Sequence, residues 1–218
     1  MAKTASPSSR TRIKRLAEKA SYDTQTLYDI IDDSYVCHVA FHDNGSTHCI
    51  PTACWRDGHY LYIHGSNGSR LIKALSAGAQ TSIAITHIDG LVLAKSAFNH
   101  SMNYRSAVIY GQFEMLEDDD LKMAAMDVFM DKIALGRKHE ARPGNAQELA
   151  ATSVLKISLD EAAAKVSNKN MPEDKEEDLE LPVWAGVLPM HVAHGEPVAM
   201  DKGDLQTPDY VRNWASIK

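Results

Sequence analysis

A chain of 218 residues can form one domain with a sizeable core or two small ones, and 44% hydrophobic with 24% charged residues is globular composition. A formal net charge of −6 disfavours broad nucleic-acid binding, because a polyanion repels an acidic surface, and no apolar run approaches the roughly 18 residues a membrane helix needs. Cys37, Cys49 and Cys54 cannot all pair with one another, and the first residues lack a secretory pattern, so a reducing cytoplasm is the expected location.

Residues 1–10, with Ser, Pro and basic side chains, read as a mobile basic tail, and 11–218 as a single domain. Leu27, Ile30 and Ile31 recur at helical spacing, with Asp23 or Thr24 available as the N-cap, which predicts a short helix ending near Ser34. YVCHVAF, THCIPTACW and YLYIH, separated by the turn signals DNGS and RDGH, predict a three-stranded antiparallel meander. Phe41 then faces His48 and Ala40 faces Cys49. Leu71, Ile72 and Leu75 predict a helix over Ser69–Ala77 closed by Gly78. TSIAITHI, LVLAKSAF, RSAVIYGQFEML, TSVLKISL and AAAKVSN read as strands, Leu121–Leu135 as a helix, and PEDKEEDLE as a solvated loop. Seven or eight strands joined mainly by tight turns predict a mainly β fold, a closed or partly open barrel with peripheral helices.

Two segments carry candidate chemistry. His64-Gly65-Ser66-Asn67-Gly68-Ser69-Arg70 lies between a strand and a helix; its glycines permit close backbone approach, and its hydroxyls and guanidinium suit phosphate oxygens. It matches neither G-x-x-x-x-G-K-[ST] nor G-x-G-x-x-G. Asn99–Ser106, polar and ring-bearing at a strand entrance, can orient a heteroaromatic ring. The histidines and cysteines of the first hairpin alternate between faces, so no metal site is expected, and all three cysteines read as core packing.

Taken together, TRIKRL, SYDTQTLYDIID, VCHVAF, IPTACWRDG, LYIHGSNGSRLIKAL, DGLVLAKSAFNHSMNYRSAVIYG and LPVWAGVLP resemble the flavin-nucleotide-binding members of the pyridoxamine 5′-phosphate oxidase superfamily, from about Thr11 to about Pro189. The resemblance implies an FMN-binding split β-barrel and a homodimer with FMN at the subunit interface. It would place Ile50, Pro51, Thr52 and Ala53 along the flavin, His64, Gly65, Ser66, Ser69 and Arg70 around the phosphate, Asn103, Tyr104, Arg105 and Ser106 near the cofactor, and Trp184 against the ring from the partner chain. Cys54 and Leu71 stand where pyridoxamine oxidases carry basic residues, so two phosphate charges are missing and that oxidase activity is not expected.

The function so implied is an FMN-dependent oxidoreductase acting on a small-molecule acceptor of nitro-aromatic or quinone type, without nucleic-acid or membrane partners. The flavin carries the redox chemistry, so no catalytic acid or base is required; Tyr104 and His100 are the candidates for proton delivery. A flavin storage or sensing protein is the second reading. A haem-binding split barrel, suggested by ten histidines, is the third.

Overall fold

The computed structural model of the chain describes residues 5–200 and 206–216. The first half runs β1 (Ala20–Ser21), α1 (Thr24–Asp32), β2 (Val36–Asp43), β3 (Ser46–Asp57), β4 (Tyr60–Ser66), α2 (Arg70–Ser76) and β5 (Thr81–Leu93). The second runs β6 (Ser101–Gly111), β7 (Glu114–Met115), α3 (Asp119–Ile133), α4 (Ala146–Ala151), β8 (Thr152–Ser158), β9 (Ala162–Ser167), β10 (Gly186–Pro189) and α5 (Asp209–Arg212). Every pairing is antiparallel, in the order β1-β9-β6-β5-β2-β3-β4-β8-β7, with β10 added to β5. The two ends of that order do not pair, so the sheet is a split barrel, as expected.

Local chemistry accounts for the first elements. The Asp23 carboxylate accepts the Thr26 N–H at 2.9 Å and starts α1, whose Leu27, Ile30 and Ile31 are buried against the sheet. Asn44 and Gly45 take φ of 47° and 79°, the positive values that a two-residue hairpin turn demands, and this fixes Phe41 opposite His48 and Ala40 opposite Cys49. Ser69 caps α2, and Gly78, with φ of 83°, follows its end.

Two sequence expectations change. TSIAITHI and LVLAKSAF are not separate strands: β5 is continuous from Thr81 to Leu93, with one register shift between Ile88 and Gly90. Gly90 allows this because β10 passes beside it, and a Cβ there would sit 3.0 Å from the Leu188 carbonyl oxygen. The short α4 is started by a capping box between Asn145 and Glu148. Residues 5–10 also pack: Ser8 Oγ donates to Glu161 at 2.7 Å, and the Arg10 guanidinium stands 4.8 Å from the Tyr110 ring centroid. Residues 1–4 of the expected tail lie outside the described residues.

Two cores result. The larger, inside the barrel, joins α1, α2 and the inward side chains of β2 to β6, β8 and β9, including Val39, Ile63, Ile83, Ile109 and Leu155. The smaller lies on the outer face of β4 and β8 under α3, and gathers Trp55, Leu116, Ala125 and Val154 with Tyr62, Met126, Val128 and Phe129.

Candidate functional site

β3 links the two halves of the sheet. Val36–Asp43 of β2 pairs with Ser46–Ala53, whereas β4 pairs only with Cys54–Asp57. Among the described residues, therefore, the edge of Ser46–Ala53 that faces away from β2 has no strand partner. Proline is tolerated at position 51 because strand prolines belong at such edges. Pro51 and Ala53 share the outer face with His38 and Val36, while Ile50 packs against the larger core and Thr52 lies opposite Cys37 on the inner side.

The β4–α2 loop lies at the end of this segment. Gly65 is required there, since a Cβ would come within 3.0 Å of Ile72 Cγ1. Asn67 anchors the loop: its amide donates to the Ala150 carbonyl at 2.8 Å, and its oxygen accepts from Ser153 Oγ at 2.7 Å. Ser69 Oγ accepts the Ile72 N–H at 3.2 Å and Ser66 Oγ the Gly68 N–H at 3.3 Å. The first N–H groups of a helix have no intrahelical acceptor, which leaves those of Arg70 and Leu71 available. Arg70 and Lys73 are exposed and make no ion pair among the described residues. Both line a cleft of about 360 Å³ with Gly68 and the β2–β3 hairpin tip at Asp43 and Asn44. Lys73 is a cation that sequence comparison at Leu71 alone passes over; its position three residues after Arg70, on one helical face, is the signal that finds it.

The ring of His64 stands elsewhere. It projects under α3, with its centroid 4.8 Å from Phe129 and 5.7 Å from Trp55, and it does not line the Arg70 cleft. Its Nδ1 is buried without a hydrogen-bond partner among the described residues, as is Trp55 Nε1. Burial pushes the imidazole pKa down, so the ring is held neutral. The unfolded chain, at about 6.5, takes up a proton first, and stability is lost as pH falls from about 6.5 towards the lower folded value. Chemical denaturation at pH 7.5 and 5.5 should show a smaller loss for His64→Phe than for the native chain; an equal loss would show that His64 does not contribute.

The β6 segment is largely committed to the fold. The Asn103 amide donates to the Lys169 carbonyl at 2.7 Å and its oxygen accepts the Lys169 N–H at 2.8 Å. Arg105 bridges Asp89, at 3.0 Å, and Asp33, and hydrogen bonds to these carboxylates hold its pKa above the usual value. Ser106 Oγ donates to the Lys165 carbonyl at 3.3 Å. Tyr104 lies on the outer face, with Lys19 Nζ 5.9 Å from its ring centroid, and His100 Nδ1 is 3.1 Å from the Ser96 carbonyl. Since β2 and β5 separate β6 from β3, one chain does not bring this segment to the β3 edge.

Trp184, before β10, is 62% exposed, and its ring lies over Gly186, where a Cβ would approach it to 2.9 Å. Beyond it Leu188, Leu91 and Met102 stand side by side across β10, β5 and β6, all partly exposed at 39–46%. The three cysteines are free, but they divide: Cys37 and Cys54 are buried, whereas Cys49 is exposed on the outer face, correcting its assignment to the core. The hydrogen bond that the Cys37 S–H donates to Cys54, with burial, pushes the Cys37 thiol up. Iodoacetamide should therefore modify Cys49 alone in the native protein, as mass spectrometry after digestion would show. No helix among the described residues is long and apolar enough to cross a membrane.

Comparison with known proteins extends this picture. The structure of the flavocytochrome Anf3 from Azotobacter vinelandii is 36% identical in sequence, with a TM-score of 0.89 over 97% of this chain and 99% of its own. That of the FAD- and haem-binding protein from Mycobacterium smegmatis is 34% identical, with a TM-score of 0.85 over 90% and 97%. Flavin and haem, set apart above as alternatives, thus occur together in the description of such relatives. No curated protein sequence matches the chain. The family described as pyridoxamine 5′-phosphate oxidase matches residues 23–166, and with these similarities the chain belongs to that family.

Proposed function

We propose that the chain is a flavoprotein oxidoreductase of the cytoplasm that holds a flavin nucleotide between the subunits of a homodimer and reduces a small acceptor of nitro-aromatic or quinone type. The observation that carries this is the juxtaposition of an unpaired strand edge with two uncommitted cations. Backbone groups of Ile50–Ala53 suit the polar rim of a flavin ring, while Arg70, Lys73 and the N–H groups that open α2 suit phosphate oxygens. Gly65, Ser66 and Ser69 shape that cradle. When bound, the flavin supplies the hydride and electron chemistry, and this chain's residues bind it, orient it and exclude water from its ring.

The separation of β6 from β3 by two intervening strands supports a second copy as the source of the β6 contacts. An apolar outer face at Leu91, Met102 and Leu188 supports dimerisation, since contiguous exposed apolar surface marks interaction sites. In such a dimer the partner would present Tyr104 and Trp184 to the flavin, with Asn103, Arg105 and Ser106 holding the strand beneath Tyr104. FMN is the smallest nucleotide that meets these contacts, and the Mycobacterium smegmatis relative, described as FAD-binding, favours its adenylylated form, FAD. Mass spectrometry of the cofactor released from the purified protein decides between them. A colourless protein that takes up neither nucleotide ends the flavin reading. One that binds flavin tightly, yet whose reduced flavin is not reoxidised by a nitro-aromatic or a quinone in the absence of oxygen, is a storage or sensing protein.

His64 favours a haem as well. If a haem binds, His64, held neutral by burial and with its Nδ1 unpaired among the described residues between Trp55 and Phe129, is the side chain that would hold its iron. Haem titration of the flavin-loaded protein should give a Soret band that His64→Phe weakens or shifts. An unchanged band in that variant would assign the iron to another residue.

A further inference from the structure

A groove separates α3 from the segment 138–152, on the flank of α3 next to the side that covers Trp55. It encloses about 260 Å³, just below the roughly 300–1,000 Å³ of pockets that take drug-sized molecules. Its walls are Met123, Met126 and Met130 on one side and Ala141, Pro143 and Leu149 on the other. Three thioethers from successive turns of one helix make a soft, adaptable surface, and sulfur contacts aromatic ring edges favourably.

The mouth of the groove settles the charge of what it accepts. Lys138 Nζ is paired with Asp131 at 2.6 Å, and Arg142 grips Glu148 through two bonds of 2.7 and 3.0 Å. Neither cation is free to meet an anion. Asp127 also lines the groove and makes no ion pair among the described residues, which adds negative charge at the mouth. The Thr152 hydroxyl, another polar group of the lining, donates to the Glu148 carbonyl at 2.9 Å. With Lys138 and Arg142 neutralised by Asp131 and Glu148, Asp127 leaves a negative charge, and an anion would meet net repulsion here.

We propose that this groove is a binding site for a small, uncharged, planar aromatic compound of one or two rings. The proposal goes beyond the flavoprotein reading and does not rest on it, because the groove shares no lining residue with the Arg70 cleft. Met126 belongs both to the groove and to the cluster around Trp55, so an occupant would contact the outer edge of the smaller core.

The test uses the full chain as purified, labelled with ¹³C in the methionine methyl groups, and two probes of matched size. These are 2-acetonaphthone, which is neutral, and 2-naphthoate, which is an anion. Ring currents of the bound ketone should shift the methyl signals of Met123, Met126 and Met130 saturably, with the remaining methionines unmoved, and the anion should bind at least tenfold more weakly. Met130→Glu should weaken the ketone at least tenfold, and Met130→Leu should retain it. Equal affinity for the two probes, or shifts confined to methionines outside α3, would overturn the proposal; so would absence of any shift up to the solubility limit. Displacement of the ketone by added haem would also overturn it, by making the groove part of a porphyrin pocket. The measurement on the native chain stands even if Met130→Glu fails to fold.

Discussion

Arg70→Ala should weaken flavin nucleotide binding by about ten- to a hundredfold while leaving riboflavin nearly unaffected. The side chain is exposed, makes no ion pair among the described residues and lies beside the N–H groups that open α2, so its removal should leave the fold intact. A charge-assisted hydrogen bond to a phosphate is worth roughly 1.5–3 kcal/mol, which converts to that range of affinity. Riboflavin lacks the phosphate and is the internal control. Equal weakening of both ligands, with circular dichroism unchanged, would make Arg70 a structural residue and move the phosphate elsewhere. Lys73→Ala should act in the same direction, and the double variant should lose more than either, because two cations line one cleft.

Placing charge on the outer face should have a still broader effect. Leu91→Lys combined with Met102→Lys puts two ammonium groups on directly opposed positions of β5 and β6, two of the three places in the apolar row that ends at Leu188. Both side chains are partly exposed in the single chain, so the isolated fold should tolerate the change. A hydrophobic interface should not, since unpaired charge is expensive to bury. Sedimentation should therefore report a monomer, and flavin affinity should fall with it because the partner's contribution is lost. A variant that stays dimeric and yellow would show that another face joins the subunits.

The hairpin and the α2 cradle were legible because their signals are local. Asn44-Gly45 demands positive φ, Ser69 caps the helix three residues before Ile72, and the register of β2 against β3 follows from the turn. What could not be read depends on contacts far apart in the chain. The union of two apparent strands into β5 rests on β10 running past Gly90 almost a hundred residues later in the sequence. His64 follows the rule that alternate strand residues change face: with Ile63 inside the barrel, its ring must point outwards, but only the position of α3 shows that outwards means buried among aromatics. Asn103 and Arg105 have the composition of ligand-binding residues, and their partners, Lys169, Asp33 and Asp89, are scattered along the chain. Lys73 was legible in principle, by helical spacing rather than by motif.

The unpaired stretch of β3 also bears on how the protein behaves when empty. Ser46–Ala53 offers a row of backbone donors and acceptors in an extended segment in which no residue is fully buried, which is the template on which strands of other molecules add. Pro51 removes one donor from it, a partial guard. A ligand lying along the row would occupy the remaining groups and act as a surrogate strand. Depletion of that ligand should thus lower colloidal stability before it lowers thermal stability, with the first aggregates formed by edge-to-edge strand addition between otherwise folded molecules.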